Sequence, residues 1–124
     1  METRIVIPVL DESTSNTRLS EHFGRAPFFA LIVMNEEGSV LTRETVPNRS
    51  EHFGGVGSPV DRILRLKPNT VITYGMGPRA LNYFQAARVA VLRANADTVE
   101  GVVSAYNNDA LEELTEGCHH ARHK

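Results

Sequence analysis

The residue pattern of this chain changes character once, near residue 58, and that change limits the folds open to it. Before it lie three runs rich in apolar and β-branched residues, at 3–9, 27–34 and 39–46. The first two are apolar on both faces, which predicts strands buried inside a sheet, with Pro8 marking the end of the first. The third alternates apolar and polar residues and follows the turn sequence Asn35-Glu36-Glu37-Gly38, so the second and third strands are expected to form an antiparallel hairpin. Residues 11–18 are polar and predict a surface loop.

After residue 58 the chain alternates between helix and strand. Ser58 is placed to cap a helix, with Pro59 at its first position and Asp61 three residues after the cap. Val60, Ile63, Leu64 and Lys67 fall on one face of that helix, and Pro68 stops it. A strand at 70–74, a helix at 78–87 with Leu81 and Phe84 inward, and a strand at 89–92 follow. Asp97-Thr98-Val99-Glu100 reads as a capping box opening a last helix, whose buried stripe is Val99, Val102, Val103 and Tyr106. The order βββαβαβα predicts an α/β fold: a five-stranded mixed sheet with helices on its faces, in a ribonuclease H-like arrangement.

At 124 residues the chain is one ordinary domain, expected over 1–116, with a Cys/His-rich mobile tail at 117–124. A net charge of −2 with scattered basic residues provides no footprint for nucleic acid. No run approaches the ~20 consecutive apolar residues of a membrane span. The first ten residues fail as a signal peptide, because Glu2 is acidic, Pro8 interrupts the run and Asp11 follows it. A cytoplasmic protein is expected. The one cysteine, Cys118, excludes an internal disulfide and fits a reducing compartment.

Four segments carry residues capable of chemistry. In the tail, Cys118, His119, His120 and His123 are ligands of the kind that hold zinc, nickel, copper or iron, although a solvated terminus would have the same composition. In Ser20-Glu21-His22-Phe23-Gly24-Arg25-Ala26-Pro27, His22 and Arg25 flank a glycine, so an anion can meet a cation and backbone N–H groups. The alternative is that Phe23 plugs the core and Gly24 turns the chain. Glu51-His52-Phe53-Gly54-Gly55-Val56-Gly57 repeats the Glu-His-Phe-Gly tetrad ahead of a helix. There Gly54 and Gly55 suit an anion cradle and His52 a metal ligand, or the glycines serve only a connector.

The fourth segment, Gly75-Met76-Gly77-Pro78-Arg79-Ala80, follows a strand and opens a helix, satisfying the Gly-x-Gly-x-x-Ala dinucleotide pattern. It sits on the fourth strand, however, and Asp97, the candidate ribose contact, is better used as a helix cap. Gly75, Gly77 and Arg79 remain an anion site or a tight turn. Nuclease chemistry needs clustered carboxylates, one of them within the first strand, and residues 3–9 contain none. A Gly-x-Ser-x-Gly elbow and a Walker loop are likewise missing, so catalysis has no visible machinery.

Taken in order, the Ser-Glu-His-Phe-Gly-Arg-Ala-Pro segment, the glycine loop at 54–57, the Gly-Met-Gly-Pro-Arg-Ala-Leu run at 75–81 and the Thr-Val-Glu helix start resemble the dinitrogenase iron–molybdenum cofactor biosynthesis family. That family includes NifX-like carriers and the carboxy-terminal domain of NifB-like proteins. The resemblance implies a ribonuclease H-like fold without nuclease activity, acting as a non-catalytic carrier for an iron–sulfur or molybdenum-containing cluster or its precursor. It also implies a cluster-donor or cluster-acceptor protein as partner. His22, His52 and the Cys118, His119, His120 and His123 tail carry over as candidate ligands. One cysteine cannot by itself ligate a cuboidal iron–sulfur cluster, which usually takes four thiolates. Capture would therefore use histidines, a second subunit, or Arg25, Arg79 and backbone N–H groups around an anionic cluster. The competing expectation is a regulatory module that binds a partner protein or a small anion without metal.

Overall fold

Strand β1 (Thr3–Val9) is the spine of the molecule. In this computed structural model, which describes residues 2–12, 17–49 and 58–115, it pairs antiparallel with β2 (Phe28–Met34) from Thr3↔Met34 to Val9↔Phe28. On its other side it pairs parallel with β4 (Thr70–Thr73) through Ile5↔Thr70 and Val6↔Val71. The expected hairpin is present, with β2 running antiparallel to β3 (Val40–Pro47) and one register shift next to Met34. Strand β5 (Ala90–Arg93) lies parallel to β4 and completes a mixed sheet of order β3-β2-β1-β4-β5.

Successive strand residues face opposite sides of a sheet, so a run that is apolar at every position feeds two cores. Val6, Phe29, Leu31 and Val71 join Ile63 of α1 (Pro59–Arg65) and Leu81 and Phe84 of α2 (Pro78–Ala86) in one apolar layer. Ile5, Ile7, Ile32 and Ile72 join Val99 and Val102 of α3 (Val99–Asn107) in the other. Helices α1 and α2 thus cover one face and α3 the opposite one. Each fully buried side chain of this size contributes about 1.5–3 kcal/mol over its exposed state. No helix among the described residues is long and apolar enough to cross a membrane.

The start of α1 follows the sequence closely: Ser58 accepts from the Asp61 N–H, and the Asp61 carboxylate accepts from the Ser58 N–H at 3.1 Å. Its end differs from expectation. The helix stops at Arg65, and Lys67 lies beyond it in the left-handed region, with φ of 58°. The Arg4 guanidinium donates to the Leu66 carbonyl at 2.6 Å and to the Lys67 carbonyl at 3.1 Å, satisfying acceptors the helix leaves over.

Other departures have similar long-range causes. The strand does not end at Pro8 but continues to Val9. The Pro8 carbonyl accepts from Ser20 N–H at 2.9 Å, so the ring nitrogen, on the same edge, faces away from β2 and breaks no bond to it. The cap of α3 is Thr98, which accepts from Gly101 N–H at 3.1 Å, and not Asp97. The Asp97 carboxylate instead meets Arg18 at 3.1 Å. Beyond α3, the chain returns to the free side of β5: Arg93 N–H donates to Glu112 and Leu114 N–H to Val91, both at 2.8 Å. That return covers one edge of the sheet and buries Leu114.

Candidate functional site

Strands β1, β4 and β5 are mutually parallel, so the segments that follow their carboxyl ends gather along one rim of the sheet, the usual position for ligands in open α/β folds. After β1 the chain comes back as a strap at 17–20. Leu10 N–H donates to Arg18, Leu19 N–H to Asp97 and Val99 N–H to Thr17, at 3.0, 3.0 and 2.9 Å. The strap is therefore held between the end of β1 and the start of α3. Thr17, Leu19 and Ser20 are buried there, which corrects the surface loop expected over part of this stretch. The Arg43 guanidinium donates to Thr17 Oγ1 and pairs with Glu100, each at 2.9 Å, tying the strap to β3 and α3.

The turn that follows carries the first candidate residues. Ser20 Oγ donates to the His22 carbonyl at 3.0 Å and accepts from the His22 N–H at 3.2 Å. Phe23 enters the core and leaves His22 and Arg25 exposed on either side. Asn48, just after β3, donates to the carbonyls of Ala26 at 2.7 Å and Gly24 at 3.3 Å and accepts from Arg62 Nε at 2.7 Å. Gly24 has no positive φ, and a methyl group there would meet nothing nearer than Pro59 at 3.9 Å. Neither the backbone nor the space around it requires a glycine there.

The second wall is the loop after β4. Tyr74 is half-buried, Met76 is buried in the core, and Gly77 is the N-cap of α2 with no side chain to cap it. Nothing lies within 4 Å of where a Gly77 Cβ would stand. Residues 21–25 and 74–77 enclose a cavity of about 360 Å³. His22, Arg25, Gly75 and Gly77 are thereby brought together. Burial, then the Asp97 and Glu21 carboxylates, push the Tyr74 pKa above the usual tyrosine value, with Arg18 opposing.

Arg79 does not line this cavity. It lines another, of about 520 Å³, with Ser58, Asp61 and Tyr83 between the starts of α1 and α2. His52, Gly54, Gly55, Cys118, His119, His120 and His123 lie outside the described residues. Among the described residues there is no group of three or more His, Cys, Asp or Glu side chains able to hold a metal ion. What the cavity offers is one guanidinium, one imidazole, one phenol and a glycine-rich backbone beside an aromatic ring and a thioether, with the Glu21 carboxylate also on its wall and opposing negative charge. Such a set can bind and orient an anion. Sequence reasoning missed Tyr74, Met76 and Asn48. The first reads as the last residue of a strand, the second as filler between glycines, and only the position of the third after a strand and before an arginine-bearing helix hints at its role.

Residues 4–109 match the model of a family described as dinitrogenase iron-molybdenum cofactor. An uncharacterized protein of Methanocaldococcus jannaschii is 29% identical over 113 residues, covering 90% of this chain and 91% of the relative. Among solved structures, a candidate dinitrogenase from the same organism superposes with a TM-score of 0.75 at 13% identity, covering 94% of this chain and 98% of the other. The apo form of the orange protein from Desulfovibrio gigas does so with a TM-score of 0.71 at 18% identity, covering 92% and 94% of the two chains. At these identities the solved structures establish the shared fold.

Proposed function

The chain belongs to the dinitrogenase iron-molybdenum cofactor family, and from that premise we propose that it is a non-catalytic carrier for an iron–sulfur or molybdenum-containing cluster or its precursor. The observation that carries this reading is the cavity that joins His22 and Arg25 to the Gly75 and Gly77 backbone on the strand-end rim. A site built to ligate a metal through the described side chains would need more thiolates, imidazoles or carboxylates than this cavity has. An anionic cluster held by charge and hydrogen bonds suits the residues present, because sulfido and oxo groups are acceptors and Arg25, His22 and backbone N–H groups are donors.

In this reading the βββαβαβα sheet is a ribonuclease H-like scaffold that supplies a rigid rim. Arg25 neutralises cluster charge, and His22 donates to the cluster or ligates an exposed metal. Glycines at 75 and 77 let the cluster approach the backbone. His52 would add a ligand and Gly54 and Gly55 backbone donors, Arg79 would add positive charge from the neighbouring cavity between α1 and α2, and Cys118, His119, His120 and His123 would receive or deliver metal. The protein works in the cytoplasm, passing cargo between a donor and an acceptor protein.

The test is anaerobic loading of the full chain with iron, sulfide and molybdate, beside His22→Ala, Arg25→Ala and His52→Ala. Loss of bound metal in the His22 and Arg25 variants, with the melting temperature unchanged, is the expected result. Full loading of both variants would remove the 21–25 turn from the site.

A further inference from the structure

Tyr74 is the first residue beyond β4, and it lines the cavity shared by the 21–25 turn and the 74–77 loop. Its ring packs against the apolar layer under α3, which limits where the phenol can go. The phenolic O–H reaches the Ala96 carbonyl at 3.4 Å, the outer limit of a hydrogen bond, where such a contact has little strength. A half-buried donor with so distant a partner gains by meeting a nearer, more negative acceptor.

The electrostatic surroundings keep the proton on this oxygen: burial raises the Tyr74 pKa first, and Asp97 and Glu21 raise it further. A phenol is protonated at neutral pH even at its ordinary pKa, so the group is a donor and adds no negative charge to a cavity whose Glu21 already opposes anions. Arg25 supplies long-range attraction from an exposed, adaptable side chain, whereas a ring held by the core offers a donor at a fixed place.

We propose that Tyr74 is a ligand-binding residue of this cavity, donating its phenolic hydrogen bond to a terminal sulfido or oxo group of the anionic cargo. The proposal rests on the carrier reading and deepens it. It assigns Tyr74 the orientation of the ligand and Arg25 its attraction.

The experiment is equilibrium titration of the full chain with tetrathiomolybdate and, separately, with molybdate, comparing wild type, Tyr74→Phe and Tyr83→Phe. A hydrogen bond to a charged group corresponds to roughly tenfold or more in affinity. Tyr74→Phe should lose that factor for whichever anion the wild type binds, while Tyr83→Phe, altered at an exposed ring outside this cavity, keeps wild-type affinity. The anion that suffers the larger loss identifies the acceptor as sulfido or oxo. Equal affinity of Tyr74→Phe and wild type overturns the role of Tyr74 and leaves the carrier reading standing, whereas binding of neither anion by wild type overturns both. Since loss of the hydroxyl could disturb folding, a second measurement needs no mutation at position 74. With three tyrosines in the chain, ring-labelled wild-type protein should show the Tyr74 resonance moving on ligand addition and those of Tyr83 and Tyr106 staying in place; an unmoved Tyr74 signal in loaded protein contradicts the proposal.

Discussion

Phe23 meets Phe84 edge-on, with ring centroids 5.7 Å apart and planes at 87°, and this contact fastens the turn that carries His22 and Arg25 to helix α2. Phe29 of β2 completes the cluster at 6.5 Å from Phe23. The two candidate ligand-binding residues flank a side chain that is itself a core anchor. A plug and a binding turn are thus the same few residues, and the ring sets where the flanking polar groups can stand.

Phe23→Ala should therefore cost stability and binding together. Loss of a buried phenyl in a packed cluster costs about 3 kcal/mol or more. Urea denaturation should show the midpoint falling without a change in slope, and cluster loading should fall even at temperatures where the variant remains folded. Loading that survives intact would separate the turn from the site.

Gly77→Asp separates stability from function in the opposite sense. As N-cap of α2, Gly77 has no side chain to accept from the helix N–H groups, and the space around it is open. An aspartate there supplies the missing cap and gains a few tenths of a kcal/mol, roughly. It also places a carboxylate beside the cavity, so thermal stability should hold or rise while binding of an anionic ligand is lost. Calorimetry and titration of the same preparation check both halves.

Each of the three helices among the described residues is followed by a residue with positive φ that is not glycine: Lys67 at 58°, Arg88 at 63° and Asp109 at 57°. An L side chain in this region carries a cost of about 1 kcal/mol, which glycine avoids at some expense in unfolded-state entropy. Arg88→Gly should stabilise by about 0.5 kcal/mol, raising the melting temperature by roughly 2 °C. A lower melting temperature would mean that the arginine makes a compensating contact.

Tyr74 also predicts a pH dependence. Its pKa in the folded protein is raised above the unfolded value, by burial first and then by Asp97 and Glu21. The phenol therefore contributes stability that is fully present below the unfolded tyrosine pKa and is lost as pH rises through the folded one. Wild type should lose stability on the alkaline side more steeply than Tyr74→Phe, and Asp97→Asn should bring the Tyr74 titration to lower pH in an ultraviolet absorbance experiment. Parallel alkaline profiles for wild type and Tyr74→Phe would contradict this.

The local chemistry of the chain was legible in its sequence to a large degree, and the failures have a common origin. Ser58, Pro59 and Asp61 announce a helix start because a capping box is made by neighbours. Asp97 does not behave as a cap because Thr98 beside it has the same capacity and Arg18, 79 positions away, takes the carboxylate. Thr17 and Arg18 look like surface loop because a polar run has no periodicity, yet their carbonyls accept from the Val99 and Leu10 N–H groups. At the site, His22, Arg25, Gly75 and Gly77 stand out by residue type and do converge. Arg79 stands out equally and faces another cavity, since successive residues of a helix turn by about 100° and two positions past the cap already point elsewhere. Tyr74 and Asn48 acquire their roles only from partners distant in sequence.

The most direct test of the account is the metal content of the full-length protein after anaerobic reconstitution with iron and sulfide, with and without molybdate, beside a variant lacking residues 118–124. The account predicts stoichiometric loading with a charge-transfer absorption band, lost in His22→Ala and Arg25→Ala; loss in the truncated chain as well would make the Cys118 and histidine tail part of the ligand set. Wild-type protein that takes up no metal or sulfide under any of these conditions would contradict the carrier function and favour a module that binds a protein or a small anion without metal.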